Sequence, residues 1–127
     1  MIFNKEIDLT TCELNEEQIK KLSKSKNQNI RLAIAKRKNL SNETLTHFSK
    51  DSSYIIRKTI IKSTNISNEI ILLLSKDLCW KTRYAIAKRE NLPMDIIEFL
   101  HKDEDWYVKL IIENKLSLMK GKQDGTI

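Results

Sequence analysis

Glycine and proline are almost missing from this chain, with two Gly and one Pro among 127 residues. Tight hairpin turns need residues that accept positive φ or come with φ fixed. So few of both argue against a β-sandwich or a fold rich in long loops. Cysteine is equally scarce. Cys12 and Cys79 do not make a disulfide framework, and they read as free thiols of a reducing, cytoplasmic compartment. With only His47 and His101 to help them, they are too few for a zinc or iron–sulfur site. No metal and no cofactor are therefore expected. No run approaches the ~20 apolar residues that span a membrane. Met1 to Lys5 offers no basic region followed by an apolar stretch, so neither a secretory signal nor a membrane partner is expected. Catalytic patterns are missing too. There is no Gly-rich phosphate loop. Glu16 with Glu17, and Glu104 with Asp105, are paired only in sequence, and adjacent helical residues point apart. Neither histidine has a Cys, Asp or Ser partner at a useful spacing, so the chain reads as a non-enzyme.

What is present is a repeat. Arg31, Arg57, Arg83 and Lys109 stand 26 residues apart. So do Asp51, Asp77 and Asp103, then Asn39, Asn65 and Asn91, then Tyr54, Trp80 and Trp106. A fixed period in this range marks stacked supersecondary units that build their core between neighbours. Hydrophobic content of 40% and charged content of 31% suit a helix-rich protein. The length leaves room for one domain.

Residues 52–77 illustrate the unit. Ser53 is the expected cap of a first helix, and Ile56, Thr59 and Ile60 form one apolar stripe at i, i+3 and i+4. The same stripe reads Ile30, Ala33, Ile34, then Thr82, Ala85, Ile86, then Val108, Ile111, Ile112. The cap column is Asn27, Ser53, Cys79 and Asp105. A short connection leads to a second helix that opens at Ser67 and presents Ile70, Ile71 and Leu74. Pro93 shares the column of Ser41 and Ser67, where a fixed φ suits a helix start. The pattern predicts an all-α domain over 1–119, with units near 1–25, 26–51, 52–77 and 78–103 and a truncated cap at 104–119. The last unit is expected to stop after Ile112. Residues 120–127 hold both glycines and few apolar groups, and a disordered tail is expected there.

The runs RLAIAKRKNLSNETL, RKTIIKSTNISNEII and RYAIAKRENLPMDII resemble the bacterial leucine-rich repeat variant, a relative of HEAT repeats. DLCWKTR and DEDWYVK are similar to the acidic, aromatic opening of the same unit. The resemblance covers about residues 9–115. It implies a short right-handed α-solenoid that serves in molecular interactions. Some members carry a cysteine cluster for an iron–sulfur centre ahead of the repeats, but only Cys12 stands there, so that feature is absent. HEAT-like DNA glycosylases use an Asp, tryptophans and an arginine on a basic concave face. Those residues cannot be placed one by one on this chain.

Three columns are candidates for function. Asp51, Arg57, Asp77, Arg83, Asp103 and Lys109 resemble the Asp and Arg ladder that bridges HEAT-like units through the forked geometry of guanidinium and carboxylate. Lys109 cannot form that fork, which suits a terminal unit. Tyr54, Trp80 and Trp106 form an aromatic row at the first turn of successive helices. It either packs over the turn between units or offers contacts to a partner. Lys36, Arg37, Lys38, Lys62, Lys88 and Arg89 form a basic ridge in the last turn of each first helix. The helix dipole accounts for one cation per unit, but not for three in a row at 36–38. Residues 26–51 hold +4 and residues 52–77 hold +2, which together equal the whole net charge of +6. A localised basic surface is a signal for an anionic partner. The expected function is a non-enzymatic module that binds a protein, as a scaffold, inhibitor or adaptor. The alternative is nucleic-acid binding along the basic ridge.

Overall fold

The computed structural model describes residues 7–123 of the chain. Among the described residues there are eight α-helices and no strand: α1 Glu16–Leu22, α2 Gln28–Ala35, α3 Asn42–Ser49, α4 Tyr54–Ile60, α5 Asn68–Ser75, α6 Trp80–Ala87, α7 Met94–His101 and α8 Trp106–Gln123. One compact unit is Met1–Ser67, with α1 to α4, and the other is Asn68–Ile127, with α5 to α8.

Helix boundaries follow the period of the sequence. The helices α2, α4, α6 and α8 begin at Gln28, Tyr54, Trp80 and Trp106, and α1, α3, α5 and α7 at Glu16, Asn42, Asn68 and Met94. Each step within a series is 26 residues. Capping explains the starts, though not always by the expected residue. The Asn27 side chain accepts from the Asn29 and Ile30 amides, and Ser41 accepts from the Thr44 amide. Asp105 accepts from Tyr107 at 2.9 Å and from Val108 at 3.2 Å. Ser53 and Cys79 stand at the N-caps of α4 and α6, yet their side chains make no cap bond. The aspartate two residues earlier fixes the turn instead. Asp51 Oδ1 accepts from the Ser53 amide at 2.9 Å and Asp77 Oδ1 from the Cys79 amide at 2.8 Å. Pro93 is the N-cap residue of α7, with φ −57° and ψ 144°, and lies just ahead of the helix.

Seven of the eight helices are only seven or eight residues long, too short to persist alone in water. Burial stabilises them. Ile34, Leu45, Phe48 and Ile56 are fully enclosed in the first unit, and Leu74, Ile86, Leu100, Val108 and Ile112 in the second. Each such side chain contributes about 1.5–3 kcal/mol. Ile30, Ala33, Thr59, Ala85 and Ile111 of the expected stripes are half-buried. The turns after α2 and α6 use Asn39 and Asn91 at φ 61° and 59°, a left-handed conformation that asparagine tolerates. Asn65, in the same column, keeps a negative φ. Its amide Nδ2 donates to the Leu40 carbonyl at 2.9 Å.

The last helix departs from expectation. Through the expected truncated cap at 104–119 and into the stretch from Lys120 expected to be disordered, α8 runs unbroken from Trp106 to Gln123. Residue 117 falls in the column of the turn asparagines and is a serine. Lys115, Leu116, Leu118 and Met119 are all good helix formers, so a helix capped by Asp105 propagates. Residues 124–127 of the expected tail lie outside the described residues.

Candidate functional site

The arginine and aspartate columns meet with a register that spacing alone did not reveal. Arg31 Nε lies 2.9 Å from Asp51 Oδ2 and Nη2 lies 3.3 Å from Oδ1. Arg83 repeats this with Asp103, at 2.7 and 3.2 Å. The carboxylate partner is thus twenty residues downstream of the arginine. The residue six upstream supplies a main-chain carbonyl: Arg31 Nη1 donates to Ser25 at 2.8 Å, and Arg57 and Arg83 Nη1 donate to Asp51 and Asp77, each at 2.6 Å. Both forked pairs are withdrawn from solvent, with side-chain exposures of 15% and 5% for Arg31 and Asp51 and 13% and 6% for Arg83 and Asp103. The hydrogen bond to Asp103 holds the Arg83 guanidinium above its usual pKa, against the opposing effect of burial. Lys109 is exposed.

The aromatic row does not behave as one feature. Tyr54 is half-buried in the first unit. In the second, Trp80 is 37% and Trp106 64% exposed. Tyr107, which the repeat columns did not single out, joins them: it stacks on Trp80 with ring centroids 5.6 Å apart and meets Trp106 edge-on at 5.1 Å. Its signal in the sequence was adjacency to Trp106 at the start of a helix. Leu110, three residues on, is exposed on the same helical face. Leu72, Leu73, Leu78, Met94 and Phe99 are exposed as well. Among the described residues, only Ile7 and Ile55 of the exposed large hydrophobic side chains belong to the first unit. The second holds all the others.

Charge divides the other way. The stretch Met1–Ser67 holds 13 Lys and Arg against 7 Asp and Glu, and Asn68–Ile127 holds 10 against 10. The entire net charge of +6 therefore belongs to the first stretch. There Lys36, Arg37, Lys38 and Lys62 surround a surface depression of about 520 Å³ between the ends of α2 and α4. Arg37 is partly committed, because its Nη1 donates to the Leu9 carbonyl at 2.8 Å. Lys36, Lys38 and Lys62 are exposed.

Lys88 and Arg89 in the second unit have different surroundings. The Lys88 ammonium sits 5.2 Å from the Tyr84 ring centroid. Arg89 is half-buried, and burial lowers its pKa from the usual value. Lys115 Nζ donates to the Arg89 carbonyl at 2.5 Å. Burial lowers the pKa of Lys115, an effect that Glu90 partly opposes. Lys115 falls outside the columns quoted from the sequence.

His47 Nε2 lies 3.2 Å from the Ser23 carbonyl, and His101 Nε2 lies 3.9 Å from Glu113 Oε1. Cys12 and Cys79 are free thiols. Among the described residues no three or more His, Cys, Asp and Glu gather as a metal-binding group, and no helix is long and apolar enough to cross a membrane. Comparison of the chain with family models, with curated proteins and with solved structures found no match.

Proposed function

We propose that this chain is a non-enzymatic binding module of the cytoplasm, built as a short right-handed α-solenoid of about four HEAT-like units, and that it binds a protein as a scaffold, inhibitor or adaptor. The recurrence of helix starts every 26 residues supports the repeat reading. The observation that carries the binding reading is the exposed Trp80, Tyr107, Trp106 and Leu110 surface of α6 and α8. Tryptophan and tyrosine supply much of the binding energy at protein interfaces, because large rings bury much area with few rotamers to fix. The second unit has no net charge to oppose such a contact. The test is a pull-down from host extract with the wild-type chain and with Trp106→Ala/Tyr107→Ala. A defined protein retained by the first and lost at least tenfold by the second is the expected result. Identical captures by both would refute the assignment of this surface.

Nucleic-acid binding along the basic ridge is the second reading, carried by Lys36, Arg37, Lys38 and Lys62 of the first unit. The confinement of net charge to Met1–Ser67 favours it. Counterion release makes it measurable, since each neutralised duplex phosphate contributes about −0.9 to the slope of log K against log salt. Reversal of Lys36 and Lys62 to Glu should reduce that slope if the ridge tracks a backbone. A slope near zero eliminates this reading.

A further inference from the structure

The depression between the ends of α2 and α4 is distinguished by what lines it. Three ammonium groups surround it, and no carboxylate does. Lys36, Lys38 and Lys62 are exposed, and their ammonium groups have no ion pair or hydrogen bond among the described residues. Some other lysines are answered. Lys20 pairs with Glu43 at 3.0 Å, Lys88 lies over Tyr84, and Lys115 is bonded to a carbonyl. The partial negative charge at the ends of α2 and α4 is balanced by about one cation each, so Lys38 is in surplus even before Arg37 is considered. Like charges gathered without a counterion repel one another, and an anion between them removes that cost.

The frame of the depression is fixed before any ligand arrives. Asn65 Nδ2 donates to the Leu40 carbonyl at 2.9 Å, which ties the turn after α4 to the turn after α2. Ser63 Oγ donates to Asn65 Oδ1 at 2.5 Å and holds that amide in place. Asn39 bends the chain at φ 61° between Lys38 and Leu40. Preorganisation of this kind lowers the ordering cost of binding.

The feature is particular to these residues and is not a by-product of the period. Moving 52 residues along the sequence replaces Lys38 by Glu90 and Ser63 by Lys115. At that second place an acid enters, and the chain supplies its own cation to the Arg89 carbonyl. The size and lining narrow the ligand. The volume of about 520 Å³ falls in the ~300–1,000 Å³ range of small-molecule sites. No aromatic side chain lines the depression, so there is no platform on which nucleobases would stack. Lysines bind phosphate oxygens as point charges.

We propose that this depression binds a compact ligand bearing at least two phosphoryl groups, a phosphoanhydride or a bis-phosphate ester, with Lys36, Lys38 and Lys62 as its cations and Asn39 and Thr64 as neutral donors. The proposal does not depend on the protein-binding reading, which uses residues after Asn68, so either can fail alone. The test is a titration of the full chain with pyrophosphate, followed by calorimetry and by backbone amide shifts, with a single-stranded oligonucleotide as the second arm. One-to-one pyrophosphate binding is expected, with shifts centred on residues 36–39 and 62–65. Lys38→Gln and Lys62→Gln should each weaken it about tenfold, while Lys102→Gln leaves it unchanged and circular dichroism stays that of the wild type. Absence of binding, or affinity that ignores the lysine substitutions, overturns the proposal. Tighter binding of the oligonucleotide at equal phosphate concentration also overturns it, in favour of a nucleic-acid surface.

Discussion

Asp103 does two things at once. Its Oδ1 accepts from the Asp105 amide at 2.8 Å, which sets the turn before α8, and the same carboxylate receives both nitrogens of the Arg83 fork. Substitution to Ala removes all of this and leaves a mostly enclosed guanidinium with only the Asp77 carbonyl. We expect Asp103→Ala to lower unfolding free energy by about 2–4 kcal/mol in urea denaturation. Asp103→Asn keeps an oxygen for the turn and should cost less. A loss below about 0.5 kcal/mol for the Ala variant would mean the pair is exposed and replaceable. The sequence showed the two columns, and it placed Arg57 and Arg83 six residues after an aspartate. It could not show that the carboxylate comes from twenty residues downstream, because that pairing depends on how consecutive helices fold back.

At the scale of elements, the cap column divides into working and silent members. Asp105 accepts two amides, and Ser53 accepts none. Asp105→Ala should therefore cost about 1 kcal/mol and Ser53→Ala at most about 0.5 kcal/mol, again by urea titration. Equal losses would show that residue type, and not the observed bond, decides. The extension of α8 makes a second prediction. Burial pushes the Lys115 pKa below its ordinary 10.5, so in the window just below that value the unfolded chain binds the proton more readily. By linkage, the contribution of this residue to stability rises as pH climbs through the folded pKa and levels off at the unfolded one. Lys115→Met should remove that rise. The check is the difference in urea midpoint between wild type and variant, followed upward from about pH 8. A difference constant across the window would count against a desolvated ammonium.

At the scale of the molecule, cationic charge and exposed apolar surface are segregated along the chain. Net charge lies before Ser67, and nearly all exposed large hydrophobic side chains among the described residues lie after it. If clustering and not total charge sets the affinity for polyanions, neutralising Lys36, Lys38 and Lys62 with Gln should lower the salt needed for elution from heparin. The same number of changes at Lys102, Lys109 and Lys120 should have a clearly smaller effect, because a concentrated set of charges makes the stronger local field. Equal shifts would mean that the surface acts through composition alone.

The period, the positions where helices begin and the buried stripes were legible in the sequence, because each rests on local chemistry repeated at a fixed step. Asn27 caps α2 and Asp105 caps α8, Asn39 and Asn91 accept a left-handed turn, and Ile34, Ile56, Ile86 and Ile112 recur where a helix must hide its face. Three things were decided only by tertiary structure. The forked pairs join residues twenty apart. Tyr107 acquired its place by stacking on Trp80, a ring on another helix. The depression with its three unanswered lysines exists because Asn65 draws one turn against another. Local propensity is written into consecutive residues, whereas the juxtaposition of distant side chains comes from the packing of helices that the period alone does not orient.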